Sequence, residues 1–203
     1  MRYTIYDTPV LSFLLQSISL FILGVFGWRL LGRLPDIPKF VVIATHTSNW
    51  DFPVTLLLAF ALRTKISILG KDSLFRWPFA SLFRWFGVIP TDRKKSTNVV
   101  ERMIKLFRES EKLILVVAPE GTRKKVKYWK TGFYYIAMGA GVPIVLAFVD
   151  YRRKVGGPGP VFTPTGDIDA DIEVIRSFYD NIVGKYPEKS GNVKIRLKKA
   201  MGK

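Results

Sequence analysis

The chain has 203 residues, a net charge of +16, no cysteine and a single histidine. That length holds one domain with a real core, and a hydrophobic fraction of 48% argues against disorder. Without cysteine there are no disulfides, no thiolate nucleophile and no cysteine-bound metal; one histidine argues against a zinc site, and the charge calls for an anionic partner, whether nucleic acid, a phospholipid surface or phosphorylated small molecules.

The first element is "PVLSFLLQSISLFILGVFGW", residues 9–28, which carries no charge. About 20 apolar residues cross a bilayer, but Gln16, Ser17 and Ser19 weaken a spanning reading. Arg29 and Arg33 follow it, so a spanning segment would leave the rest of the chain in the cytoplasm. A segment embedded in one leaflet would hold the body at the same surface. A cleaved signal peptide is disfavoured by a thin basic start and no small-x-small site. A buried core helix is the fourth reading. Trp28, among arginines, has the character of an interface anchor.

Short β-branched runs then alternate with helical patterns. Residues 40–46, 65–70, 87–92, 113–119 and 143–151 read as strands, and 51–62, 73–85, 96–110 and 130–140 as helices. Val99, Met103, Leu106 and Phe107 recur at helical spacing, as do Ile168, Ile172, Ile175, Tyr179 and Ile182. "GGPGP" at 156–160 reads as a loop. "LFRWPFASLFRWFG" at 74–87 interleaves six aromatic residues with Arg76 and Arg84. It fits a core helix, an interfacial helix or a wall of a ligand tunnel. Alternating strands and helices predict an α/β fold, with a central mixed, largely parallel sheet flanked by helices and a hydrophobic, membrane-associating N-terminal helix.

The single histidine ends the first strand, in "VVIATHTSNWD". On a continuous helix His46 and Asp51 would sit roughly 140° apart, so they meet only if the backbone turns between them. Thr47, Ser48 and Asn49 supply loop and N-cap residues, and Pro53 is tolerated only in a first helical turn. Asp51 is therefore expected at a helix N-terminus with His46 on the strand exit, where α/β sheets bind ligands. A carboxylate on one ring nitrogen fixes the tautomer and leaves the other free to take a proton from an alcohol. A surface histidine capping a helix fits the same spacing.

Three further strand exits look alike. "GVIPTDR" ends in Asp92-Arg93, "APEGTR" in Glu120-Gly121-Thr122-Arg123, and "GVPIVLAF" opens another buried strand. Polar groups at strand exits line a cleft, and arginine presents a planar fork that matches phosphate. Singly, Arg93 also reads as a solvated charge and 120–123 as an ordinary turn. Together and in this order, over about residues 40–150, the four blocks resemble the glycerolipid (lysophospholipid) acyltransferase family. "KTGFYYIAMGAGVPIV" is similar to the helix that leads to that family's fourth block.

The resemblance implies His46 as catalytic base and Asp51 as its orienting partner. It implies Arg93 on the acceptor's phosphate and Glu120, Gly121, Thr122 and Arg123 around the acceptor, with Lys71 and, further out, Lys130 as supporting cations. It implies a membrane-anchoring segment at 1–35 and the acyltransferase domain at 36–203. The acyl donor would be acyl-CoA or acyl carrier protein, the acceptor a lysophospholipid such as 1-acyl-glycerol 3-phosphate. No cofactor or metal is expected beyond the thioester co-substrate, nor any acyl-enzyme. An anionic phospholipid membrane, at the cytoplasmic face of the inner or plasma membrane, is the expected partner and no nucleic acid is. Glycerol 3-phosphate, a lyso-aminolipid or a lipid A precursor are alternative acceptors; a non-enzymatic basic membrane- or nucleic-acid-binding protein is the alternative class. Two departures stand out: Leu146 replaces the second proline usual in the fourth block, and "KKVKYWK" after Arg123 is unusually basic.

Overall fold

The computed structural model describes residues 4–91, 96–191 and 193–195. Its strands are β1 (Arg29–Leu30), β2 (Lys39–Ile43), β3 (Ser67–Lys71), β4 (Val88–Thr91), β5 (Leu113–Val117), β6 (Ile144–Asp150) and β7 (Val155–Phe162). The helices are α1 (Pro9–Val25), α2 (Asp51–Ala61), α3 (Ala80–Trp85), α4 (Ser96–Glu109), α5 (Gly132–Ala140) and α6 (Ile168–Tyr179). Among the described residues the strands form one sheet in the order β1-β7-β6-β2-β5-β3-β4. All pairings are parallel except β6 with β7, so the sheet is mixed and largely parallel, as expected.

Alternation along β2 sorts the core. Val41 and Ile43 point to the face covered by α4, α5 and α6, with Met103, Phe107, Phe133, Ile136 and Ile175. Phe40 and Val42 point to the other face, beneath α2, with Ala59, Ile66, Val116 and Val145. Both faces are covered, which explains the near-continuous apolar strands. Asp167 caps α6, its carboxylate accepting from the N–H groups of Asp169 and Ala170.

Two expectations need correction. "GGPGP" belongs to β7, not to a loop. Small residues are required there because the strand is crowded on both sides: a Cβ at Gly157 would lie 2.0 Å from the Leu31 carbonyl oxygen, and one at Gly159 2.4 Å from that of Leu146. Residues 73–85 are not one helix. A 3-10 turn at Asp72–Phe75 precedes α3, and Pro78 between them cannot continue a helical ladder. Nor is this a core element, since Trp77 is 92% exposed and Phe79 58%. At the N-terminus, where the sequence leaves both spanning and embedding in one leaflet open, no helix among the described residues is long and apolar enough to cross a membrane. α1 has 17 residues, about 25 Å at 1.5 Å per residue.

α1 has its polarity inside out. Ser19 is buried and Gln16 donates to the Ala61 carbonyl at 3.1 Å, so these two polar residues are turned inward, while Ser17 is exposed. Val10, Phe13, Ile18, Phe21 and Val25 face outward and are exposed. Trp28 is not an exposed anchor; its ring meets Tyr151 edge-on at 5.0 Å.

Candidate active site

β2 lies at the centre of the sheet, between β5 and β6, and its C-terminal end opens into a loop before α2. Ala44 makes a last ladder bond to Val117. The buried Tyr179 hydroxyl lies within hydrogen-bonding distance of the Ile43 and Ala147 carbonyls, bracing the exits of β2 and β6 from below.

Past this exit the chain turns as the spacing requires. Asp51 is the first residue of α2 and is buried. Its Oδ2 accepts the backbone N–H groups of Thr47 and Ser48, both at 2.8 Å, and lies 3.0 Å from His46 Nδ1. The N-cap position falls on Trp50, not on Thr47, Ser48 or Asn49. The loop is instead organised backward, by the Asp51 carboxylate and by the Ser48 hydroxyl accepting from Trp50 N–H. The remaining oxygen, Oδ1, accepts the Tyr151 hydroxyl at 2.8 Å.

Burial alone would raise the Asp51 pKa. The His46 ring, the Ser48 N–H and the Tyr151 hydroxyl outweigh it, and the net direction is down. Asp51 is thus an ionised acceptor, so the Nδ1 facing it carries a proton and Nε2 is the nitrogen left to face a ligand. Nε2 has no hydrogen-bond partner among the described residues, and 27% of the His46 side chain is exposed. Burial first, then the bond to Asp51, push the Tyr151 hydroxyl up, which keeps it a donor.

Glu120 arrives from the exit of β5. Its Oε1 accepts the His46 backbone N–H at 3.1 Å, while Oε2, buried, has no partner among the described residues. Burial, with the Asp51 charge adding to it, pushes the carboxyl up to about 7. Gly121 adopts φ +64, and the Lys130 side chain packs over it, 3.1 Å from where a Cβ would stand. The Thr122 hydroxyl accepts from Lys124 N–H. Arg123 is exposed and lines a cleft of about 370 Å³ with Thr47, Ser48, Asn49, Trp50, Tyr186 and Lys189.

The structure thus brings together His46, Asp51 and Glu120, with Gly121, Thr122 and Arg123 beside them. Lys71 ends β3, two strands across on the same edge, and makes no hydrogen bond or ion pair to that group among the described residues. Arg93 lies outside the described residues. Tyr151 is the participant the sequence reading passed over; its one signal is its place directly after the strand of the fourth block.

Comparison with known proteins bears on the family and the fold. The model of the family described as "Acyltransferase" matches residues 30–148. The chain is 30% identical over 130 residues to a 1-acyl-sn-glycerol-3-phosphate acyltransferase of Haemophilus influenzae, covering 59% of this chain and 53% of that one. It is 28% identical over 112 residues to a protein of that name from Escherichia coli, covering 52% and 44%. The chain therefore spans about half the length of the curated relatives it matches. The crystal structure of the 1-acyl-sn-glycerophosphate (LPA) acyltransferase PlsC from Thermotoga maritima has the same fold, with a TM-score of 0.60 and 16% identity over 84% of this chain and 77% of that one. With a family match over more than half its length, the chain belongs to the acyltransferase family.

Proposed function

We propose that the chain transfers a fatty acyl group from a thioester, carried by coenzyme A or acyl carrier protein, to the hydroxyl of a lysophospholipid such as 1-acyl-glycerol 3-phosphate. The observation that carries this reading is the 3.0 Å contact of His46 Nδ1 with an ionised, buried Asp51, which leaves Nε2 unengaged at a strand exit. Nε2 takes the proton of the acceptor hydroxyl as its oxygen attacks the thioester carbonyl. The C–S bond then breaks, and the His46 imidazolium returns the proton to the departing sulfur. General-base help of this kind is worth about 10²–10⁴ in rate. No acyl-enzyme forms and no cofactor takes part beyond the thioester itself.

The surroundings support the same reading. An apolar cavity runs beneath α2, lined by Thr55, Leu58, Ala59 and Leu62 above Val116 and Val145. At about 70 Å³ it has room for a few methylenes, and we assign it to that part of an acyl chain. Ala44, two residues before His46, is part of that lining, so the cavity lies close to the imidazole in sequence and in space. Glu120 and Arg123 border the acceptor, with Arg93 and Lys71 as the cations assigned to its phosphate. The apolar outer face of α1 and the Trp77–Trp85 stretch fit a position at the cytoplasmic surface of an anionic membrane, which the net charge of +16 favours.

The test is transfer of a labelled acyl group from acyl-CoA and from acyl carrier protein to a panel of lysophospholipids and glycerol 3-phosphate. Wild type should acylate a phosphorylated acceptor, and His46→Ala should lose transfer while keeping its melting temperature. Transfer to no acceptor, or full activity in the variant, overturns the reading.

A further inference from the structure

The C-terminal segment beyond α6 brings cations to the site from outside the stretch that matches the family, which ends at residue 148. Residues 184–189, Gly-Lys-Tyr-Pro-Glu-Lys, run against the loop that carries His46. The contact is close: a Cβ at Gly184 would stand 2.7 Å from the Thr47 hydroxyl oxygen, and that oxygen accepts the Tyr186 N–H at 3.4 Å. Lys185 Nζ lies over the Trp50 ring at 4.9 Å and the Tyr151 ring at 5.8 Å. Lys189 Nζ lies over the Tyr186 ring at 4.0 Å. Aromatic faces hold both ammonium groups in place and leave their charge uncancelled.

Among the described residues, neither lysine nor Arg123 is in an ion pair. The carboxylates nearby do not neutralise them. Asp51 is buried and its oxygens are taken by His46, Thr47, Ser48 and Tyr151, while Glu188 is exposed and bonded to none of the three cations. Arg123 and Lys189 line the same cleft of about 370 Å³, together with Ser48, Asn49 and Trp50, the ring over which Lys185 lies. Its wall includes Thr47, the residue next to His46.

We propose that Lys189 and Arg123, with Lys185 held over the Trp50 ring in the cleft wall, form a phosphate-binding cleft beside His46. The inference rests on the acyl-transfer reading for its ligand, a phosphate ester of one of the two substrates. The donor's pantetheine arm and the acceptor's glycerol both end in such a group, and either would bring its reacting atom toward the imidazole when held there. The C-terminal segment is then part of the substrate site and not a tail.

The experiment is kinetic, on the whole chain, with Lys185→Gln/Lys189→Gln against wild type and the exposed Lys189→Gln alone as a second variant. Two donors are compared, acyl-CoA and the phosphate-free acyl-N-acetylcysteamine thioester, and two acceptors, lysophosphatidate and monoacylglycerol. Loss of charged hydrogen bonds should raise one KM about tenfold. A rise for acyl-CoA alone assigns the cleft to the donor, and a rise for lysophosphatidate alone to the acceptor; the phosphate-free partner should not move in either case. Unchanged KM values for both phosphorylated substrates overturn the proposal, including the case in which the variant merely binds anionic vesicles less well. Calorimetric binding of inorganic pyrophosphate separates this from the reading beneath it: if wild type transfers no acyl group yet binds pyrophosphate and the variants do not, the acyl-transfer reading falls and the cleft stands. If wild type binds none, the cleft falls.

Discussion

Asp51 gathers four donors on two oxygens, and the division between them matters. Oδ2 serves the ring and two backbone N–H groups of the loop, while Oδ1 serves Tyr151 alone. Removing the carboxylate charge should be severe: Asp51→Asn should lower kcat by about 10²-fold or more, because the ring loses the acceptor that sets its tautomer. Tyr151→Phe removes one donor of four. We expect kcat to fall about three- to tenfold with both KM values unchanged, measured by initial rates; a change in KM without one in kcat would show that Tyr151 binds substrate and does not position Asp51. Glu120 gives a pH signature in stability. Burial lifts its carboxyl from 4.5 to about 7 in the folded chain. Between those values the native state binds more protons than the unfolded one, so stability falls as pH rises through the window. The total is about 3 kcal/mol at 1.36 kcal/mol per unit. Glu120→Gln should remove that slope, seen as a smaller difference between denaturation midpoints at pH 5 and pH 8 than in wild type; an unchanged difference would place the titrating group elsewhere.

At the scale of elements, what the sequence exposes depends on what enforces each one. β2, β3, β4, β5 and β6 begin and end within three residues of their expected bounds, because each is a short apolar run closed by a polar or small residue. β1 and β7 were illegible: a two-residue strand has no pattern, and β7 is rich in glycine and proline because neighbouring carbonyls leave no room for side chains. The His46–Asp51 pair was legible from Pro53 and the turn residues before it. Tyr151 was not, since its meeting with Asp51 spans 100 residues and only the sheet order brings them together. The sheet order also sets the cavity beneath α2. Ala59 lines it from the helix, above Val116 and Val145. Ala59→Phe should shorten the acyl chain accepted, with kcat/KM dropping about fourfold for each methylene that no longer fits, as about 0.8 kcal/mol per buried CH₂ requires. A series of acyl-CoA donors of increasing length measures it. An unaltered length profile would move the acyl chain out of this cavity.

For the whole molecule the open question is how a chain with no membrane-crossing helix among its described residues would meet an insoluble acceptor. Two exposed apolar surfaces rest on one shared buried cluster. Leu11 and Leu15 of α1 and Phe86 after α3 pack on the same cluster around Leu56 and Phe60 of α2, and Phe52 meets Phe83 at 6.1 Å. Outward from that shared base stand Phe13 and Phe21 of α1 on one side and Trp77 and Phe79 on the other, the last two flanked by exposed Arg76 and Arg84. So much unpartnered apolar surface on a soluble face would be an aggregation hazard; against lipid it is an anchor. The two kinds of residue should separate by salt. Arg76→Gln/Arg84→Gln removes about 2 kcal/mol of attraction to an anionic leaflet, at about 1 kcal/mol per basic residue. Binding to phosphatidylglycerol vesicles should therefore weaken about 30-fold at low salt and much less at high salt, where the Debye length shrinks. Phe13→Ser/Phe21→Ser should weaken it about equally at both, because burial of apolar area is not screened. Vesicle flotation across a salt series reads both. If neither pair changes flotation, this face is not the one that meets the bilayer; if only the phenylalanine pair does, α1 anchors the chain alone and the aromatic stretch before α3 faces something other than lipid.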